Sequence, residues 1–147
     1  MAKKIKVSKT VNGQEQELRG QLMRALADYD NLKKRVEKEK KDWEEESLIK
    51  FAAQIMPILD MLVNINAHTK DSGLAIAIKE FEKALNSLGI EKIPADPGKM
   101  FDAALHEAIE GEDTENGKKG EILEELLTGW KTSSGRVIRH ARVKVRK

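Results

Sequence analysis

Cysteine is absent from the chain. Its absence excludes a disulfide scaffold, a thiolate zinc site and a cysteine nucleophile, and it fits a reducing, cytoplasmic setting. Long apolar runs are missing too. Nothing approaches the roughly 18 consecutive apolar residues of a membrane helix, so no span is expected. The opening Met1-Ala2-Lys3-Lys4-Ile5-Lys6-Val7 has lysines but no following apolar stretch, so it does not read as a secretory signal. A strong charge of one sign is also lacking. The net charge of +2 makes no electrostatic demand for nucleic acid or a membrane surface. What is present is a near balance of 39% hydrophobic and 35% charged residues. That is too polar for one large spherical core and normal for an elongated helical protein. The length of 147 residues allows one domain or two small ones.

Residues 1–17 show no period and include Asn12-Gly13, which reads as a flexible N-terminal arm. From Leu18 the pattern changes. Leu18, Leu22, Ala25, Tyr29, Leu32 and Val36 follow the alternating four-and-three spacing of a coiled-coil seam. Residues 33–46 then hold only two uncharged side chains, Val36 and Trp43, one heptad apart on the same stripe. Neither glycine nor proline occurs from Gln21 to Met56. A segment this charged forms a long exposed helix, supported by pairs such as Glu37–Lys41 and Lys40–Glu44. Its seam is thin, with Glu39 and Glu46 at the next expected positions, so an isolated copy is marginal. A second, parallel copy is the natural partner, because each chain supplies an identical seam.

From Leu48 the apolar face widens through Phe51, Ala52, Ile55, Met56, Ile58, Leu59, Leu62 and Val63, as in a bundle. Pro57 is expected to kink or restart this helix. Residues 64–73 read as a loop. A second amphipathic helix carries Leu74, Ile78, Phe81, Leu85 and Leu88, and Gly89 stands where a left-handed C′ glycine belongs, with Ile90 placed to pack back on Leu85. One such helix cannot shield the wide face before it. Two, from a dimer, make a four-helix bundle, with Leu59, Leu62, Ile78, Phe81 and Leu85 joining Leu18, Leu22, Tyr29, Leu32 and Val36 as expected dimerisation residues.

After Gly89 the signals are those of strands and turns. Pro94, Pro97 and Gly98 mark a turn region, and residues 105–110 fit a short strand. Residues 112–120 read as a polar loop, 121–130 are ambiguous between helix and strand, and Ser133-Ser134-Gly135 is a turn. From Arg136 to Val145 the residues alternate as in a strand. The expected fold class is therefore α+β: a long parallel dimeric helical rod, a four-helix bundle at the dimer interface and a small C-terminal β-domain. The expected division is 1–17 arm, 18–90 helices and 91–147 β-domain.

No catalytic constellation emerges, so the chain does not read as an enzyme, and no cofactor or metal is expected. His106-Glu107-Ala108-Ile109-Glu110 opens like a zinc-protease motif, but Glu110 stands where the second histidine must be. His106 has a structural or an interface role instead. Gly117-Lys118-Lys119-Gly120 fails the spacing of a phosphate loop, and Glu112, Asp113 and Glu115 would repel phosphate. The tail from Arg136 to Lys147 has six Arg or Lys, no acid and no stacking aromatic. It fits a solvated strand face or an acidic protein partner better than nucleic acid.

Four segments together resemble the GrpE family. They are Ala27-Asp28-Tyr29-Asp30-Asn31-Leu32-Lys33-Lys34-Arg35; Ile55-Met56-Pro57-Ile58-Leu59-Asp60-Met61-Leu62; Leu88-Gly89-Ile90-Glu91 continuing through Phe101-Asp102 to His106-Glu107-Ala108; and Gly129-Trp130 followed by Gly135-Arg136-Val137-Ile138-Arg139. The sequence departs from the family pattern at Ala103 and His140, where prolines are usual, and at Asp42, a position that is often basic. The resemblance implies a homodimeric cochaperone that binds the ATPase domain of a DnaK-type chaperone and promotes ADP release, in support of protein folding and the stress response. It implies partner contacts at Lys33, Lys34 and Arg35 on the helix, at Gly89 where bundle meets β-domain, and at Arg136, Val137 and Arg139. His106 joins them through the third segment. The competing reading is a coiled-coil tethering protein without exchange activity, for which the C-terminal module would be unnecessary.

Overall fold

The computed structural model describes the backbone of residues 2–113 and 117–147, and side chains from residue 13 onward within those ranges. The chain divides into two units, Met1–Glu46 and Ser47–Lys147. Helix α1 spans Ala2–Thr69 and helix α2 spans Ser72–Ser87. Six strands follow: β1 (Ile90–Lys92), β2 (His106–Glu112), β3 (Ile122–Leu127), β4 (Trp130–Thr132), β5 (Val137–Arg139) and β6 (Ala141–Arg146).

Three expectations about the helices change. The helical backbone begins at Ala2, so Leu18 is not an element boundary; single glycines at 13 and 20 weaken a helix by about 1 kcal/mol each without ending it. Side chains of residues 1–12, and Met1 altogether, lie outside the described residues. Pro57 does not restart the helix. The carbonyl that its ring leaves without a donor is that of Ala53, which lies on an exposed turn where water can serve it. The expected loop at 64–73 shrinks to two residues. Lys70 takes φ 52°, and the Asp71 carboxylate caps α2 by accepting from Leu74 N at 2.8 Å.

In the second unit the wide face of α1 packs inward. Ala52, Met56 and Leu59 form a buried cluster with Ile78 and Leu85 of α2, Ile90 of β1 and Trp130 of β4. Ile90 and Leu85 share this cluster, the apolar contact that often accompanies a C′ glycine. A stretch of α1 is, by length and composition, long and apolar enough to cross a membrane. Within it Ala52, Met56 and Leu59 are drawn into this core and Asp60 is ion-paired, while Phe51, Ile58, Met61 and Ile65 stay exposed.

The strands make two small sheets, ordered β1-β4-β5 and β2-β6-β3. All pairs are antiparallel except β2 with β6, which is parallel. The alternating tail read as one strand is thus two. His140 separates β5 from β6, and the chain changes sheet there. A second cluster, of Ile93, Ala95, Ile122, Ala141 and Val143, fills the β-domain. Gly129 lies against the chain at Ala141, where a Cβ would run into the Ala141 backbone nitrogen, so no larger residue fits. Residues 114–116 of the expected polar loop lie outside the described residues.

Candidate functional site

In the first unit every described side chain from 13 to 44 is exposed. Leu18 (64% exposed), Leu22, Tyr29, Leu32 and Val36 are among them. Among the described residues of the unit, nothing covers these apolar groups. Lys33 and Lys34 lie beside them, also exposed, and Arg35 reaches Glu39 at 3.8 Å. Surface pairs of that length contribute little to stability.

The expected dimerisation residues of the second unit divide. Leu59, Ile78 and Leu85 are buried in the chain's own core, so those three are corrected from interface to core; Leu62 packs against the same cluster. The reason is that α1 meets both α2 and the Trp130 strand of its own chain, which periodicity alone did not show. Phe81 stays more than one-third exposed.

Gly89 sits at φ +79°, directly between the α2 C-cap and β1. Its carbonyl accepts from Ser133 N at 2.8 Å, and a Cβ there would meet Ser133 Oγ at 3.1 Å. Lys92 extends over the Trp130 ring, 5.8 Å from its centroid, and pairs with Glu82 of α2 at 2.6 Å. These contacts gather around the point where the helices hand the chain to the β-domain.

Arg139 occupies the same joint. Its Nη2 donates to Asp60 Oδ1 at 2.9 Å and its Nη1 to Oδ2, a two-pronged pair across 79 positions of sequence. Nε and Nη2 also donate to the Thr128 carbonyl, at 3.2 and 2.6 Å. Both side chains are about three-quarters buried. The sequence grouped Arg139 with partner contacts and left Asp60 without a role. A signal was present: an acid within an apolar helical run requires a cationic or hydrogen-bonding partner. Val137 is half-buried and packs on the β-domain core, while Arg136 is exposed on the turn between β4 and β5.

His106 does not reach a surface. It is 5% exposed; its Nδ1 accepts from Asp102 N and its Nε2 donates to the Pro94 carbonyl, each at 3.0 Å. With both ring nitrogens engaged and Phe101 alongside, it ties two loops together, so its partner-contact assignment is corrected to a structural one. The basic tail is largely neutralised within the second unit as well. Arg139 meets Asp60, Arg142 meets Glu107 at 3.0 Å, Lys144 meets Glu112 at 2.5 Å and Arg146 meets Glu121 at 3.4 Å. The Lys144 ammonium holds the Glu112 carboxyl below its ordinary range, and Glu112 in turn raises Lys144.

A long helix with an uncovered apolar seam, joined to a small two-sheet β-domain, defines an α+β architecture of the kind expected for a nucleotide exchange cochaperone. The profile of the GrpE family matches residues 2–147. Among curated relatives, Protein GrpE of a Nitratiruptor species is 37% identical, over 90% of this chain and 80% of that protein. Protein GrpE of Methanothermobacter thermautotrophicus is 36% identical, over 84% and 71%. That of Clostridium tetani is 31% identical, over 92% and 68%. The chain belongs to the GrpE family, the nucleotide exchange factors of DnaK-type chaperones.

Proposed function

We propose that this chain works as a parallel homodimer whose β-domain engages the ATPase domain of a DnaK-type chaperone and favours its open, ADP-free form. The uncovered seam of the first unit carries the dimer part of this reading. Leu18, Leu22, Tyr29, Leu32 and Val36 are exposed at heptad spacing, and in water such a stripe is stabilised by a second copy. Phe51, Ile58 and Ile65, again one heptad apart, are exposed in the second unit and extend the same logic. Lys33, Lys34, Arg35 and Arg136 are the side chains proposed to meet the chaperone, with Gly89 setting the joint. The protein does no chemistry, uses no cofactor and acts in the cytoplasm, without nucleic acid or a membrane. The internal pairing of the basic tail supports the exclusion of nucleic acid, because paired cations offer little net field to a phosphate backbone.

Exchange requires tighter binding to the open ATPase domain than to the closed one, and the coupling is reciprocal. The test loads a DnaK-type chaperone with fluorescent ADP, adds the protein and follows release. Faster release is expected, together with dissociation of the complex by added ADP. An unchanged release rate would leave only the tethering role. Complex affinity indifferent to ADP would refute the exchange mechanism.

A further inference from the structure

We infer that Asp60 and Arg139 form a clasp that sets the direction in which the β-domain is presented, so that both are positioning residues for exchange and Arg139 is not a contact residue. The inference rests on the proposed exchange function for its activity readout only.

Besides the apolar cluster that Ile90 and Trp130 make with both helices, the β-domain is attached to them at two places. One is the chain itself at Leu88-Gly89-Ile90, reinforced by Ser133 N on the Gly89 carbonyl and by Lys92 on Glu82. A glycine at φ +79° makes that attachment a swivel in principle, because glycine has neighbouring conformations open to it. A body held at one point can rotate about it; a second point removes that freedom. The Asp60–Arg139 pair is the second point. It joins α1 to the end of β5, and through the Thr128 carbonyl it includes the turn between β3 and β4. The fork geometry fixes angle as well as distance, which a lysine could not do.

Packing beside the clasp leaves room for movement. A groove of about 1020 Å³ opens between α1, α2 and the β3–β4 turn, with Asp60, Val63, Ile78, Leu127 and Trp130 on its walls. On that side the Trp130 cluster is the apolar contact between the helices and the β-domain, and the clasp restrains tilting about it. Trp130, 1% exposed in one cluster with Met56 and Leu59, anchors the joint, and the ionic pair gives it a heading.

The full chain lacks cysteine, so labels can be placed cleanly. Spin labels at Ala53→Cys on α1 and Glu110→Cys on β2, in chain diluted with unlabelled protein, report the heading without any chaperone. A narrow distance distribution is expected for the intact clasp, and a broader one for Asp60→Ala, Arg139→Ala and the double variant. ADP release is measured on the same set without labels. Each single variant is expected to slow release about tenfold, a modest value for misplaced binding groups. The double variant should be no worse than either single one, and the swap Asp60→Arg with Arg139→Asp should recover much of the rate. Trp130 emission in a Trp43→Phe background verifies that each variant is folded at the assay temperature. Should an alanine variant not fold, Asp60→Asn keeps the shape and one hydrogen bond, and a smaller change in the same direction is expected. Slow release with Arg139→Ala but wild-type release with Asp60→Ala would overturn the inference and return Arg139 to direct contact. So would an unchanged distance distribution in every clasp variant. A wild-type protein that does not speed release, yet shows the broadening, would refute the exchange reading and leave the clasp standing.

Discussion

The two units of this chain solve the problem of apolar surface in opposite ways. Within 1–46 no described side chain is buried, and the leucines of the seam face water. Within 47–147 the apolar residues close into two clusters, one where α1, α2, β1 and β4 meet and one inside the β-domain. Both units contain helix with apolar residues at three-and-four spacing. What differs is the width of the stripe. A narrow seam stays exposed along the described part of the first unit, which fits the proposed pairing with a second copy, whereas a wider face draws in α2 and a strand. Stripe width, more than its period, decides whether a helix folds with itself or with another molecule.

The sharpest way to break this contrast is to charge the seam. Leu22→Asp with Leu32→Asp is expected to abolish the proposed dimer at micromolar concentration, measured by sedimentation equilibrium, while the near-ultraviolet signal of Trp130 persists. Loss of both together would mean that the second unit depends on the first. A quantitative contrast comes from alanine. Met56→Ala removes a side chain that is 1% exposed and should destabilise the second unit by about 2–5 kcal/mol in denaturant titration. Leu22→Ala should change that same transition by less than about 0.5 kcal/mol, as surface substitutions do. Equal effects would show that the units are one cooperative body. A smaller effect on stability is expected at the joint. In Gly89→Asp the Cβ enters a left-handed conformation at about 1–2 kcal/mol, the new carboxylate meets the α2 C-terminus at roughly 0.3–1 kcal/mol, and Ser133 Oγ must give way. Dimer and helicity should survive while ADP release slows; Gly89→Asn should be milder. Wild-type release by Gly89→Asp would show that the joint does not set the β-domain's placement.

Much of the architecture was legible because it is local. The seam at Leu18–Val36, the C′ glycine at 89 and the turn at 133–135 each announce themselves within a few residues. The inner face of the bundle was legible as apolar but not as to its neighbour, so Leu59, Ile78 and Leu85 were read as facing a partner when they face Trp130 and one another. The tail after Arg136 showed strand alternation, yet its division at His140 depends on which sheet each half joins, and that is set by strands as much as 35 positions away. Long-range polar pairing was the least visible. Asp60 and Arg139 lie in two of the four family-like segments, and only the fold shows that they grip each other. His106 illustrates the same limit in reverse. A polar residue within a motif reads as available until both of its ring nitrogens are found occupied.

The order β2-β6-β3 has a consequence for synthesis. The middle strand of that sheet comes later in the chain than both of its neighbours. β2 and β3 therefore leave the ribosome with open edges and no partner for either, and they stay open until Ala141–Arg146 arrives. The helical seam needs no such wait, since its hydrogen bonds close within four residues as the chain grows. A nascent chain will thus acquire its helix first and hold two unpaired strands in reserve. During that interval Ile122 on β3, fully buried in the finished domain, is the side chain with most to gain from a chaperone's attention. A protein proposed to reset chaperones would, in the moments of its own making, be a natural client of one.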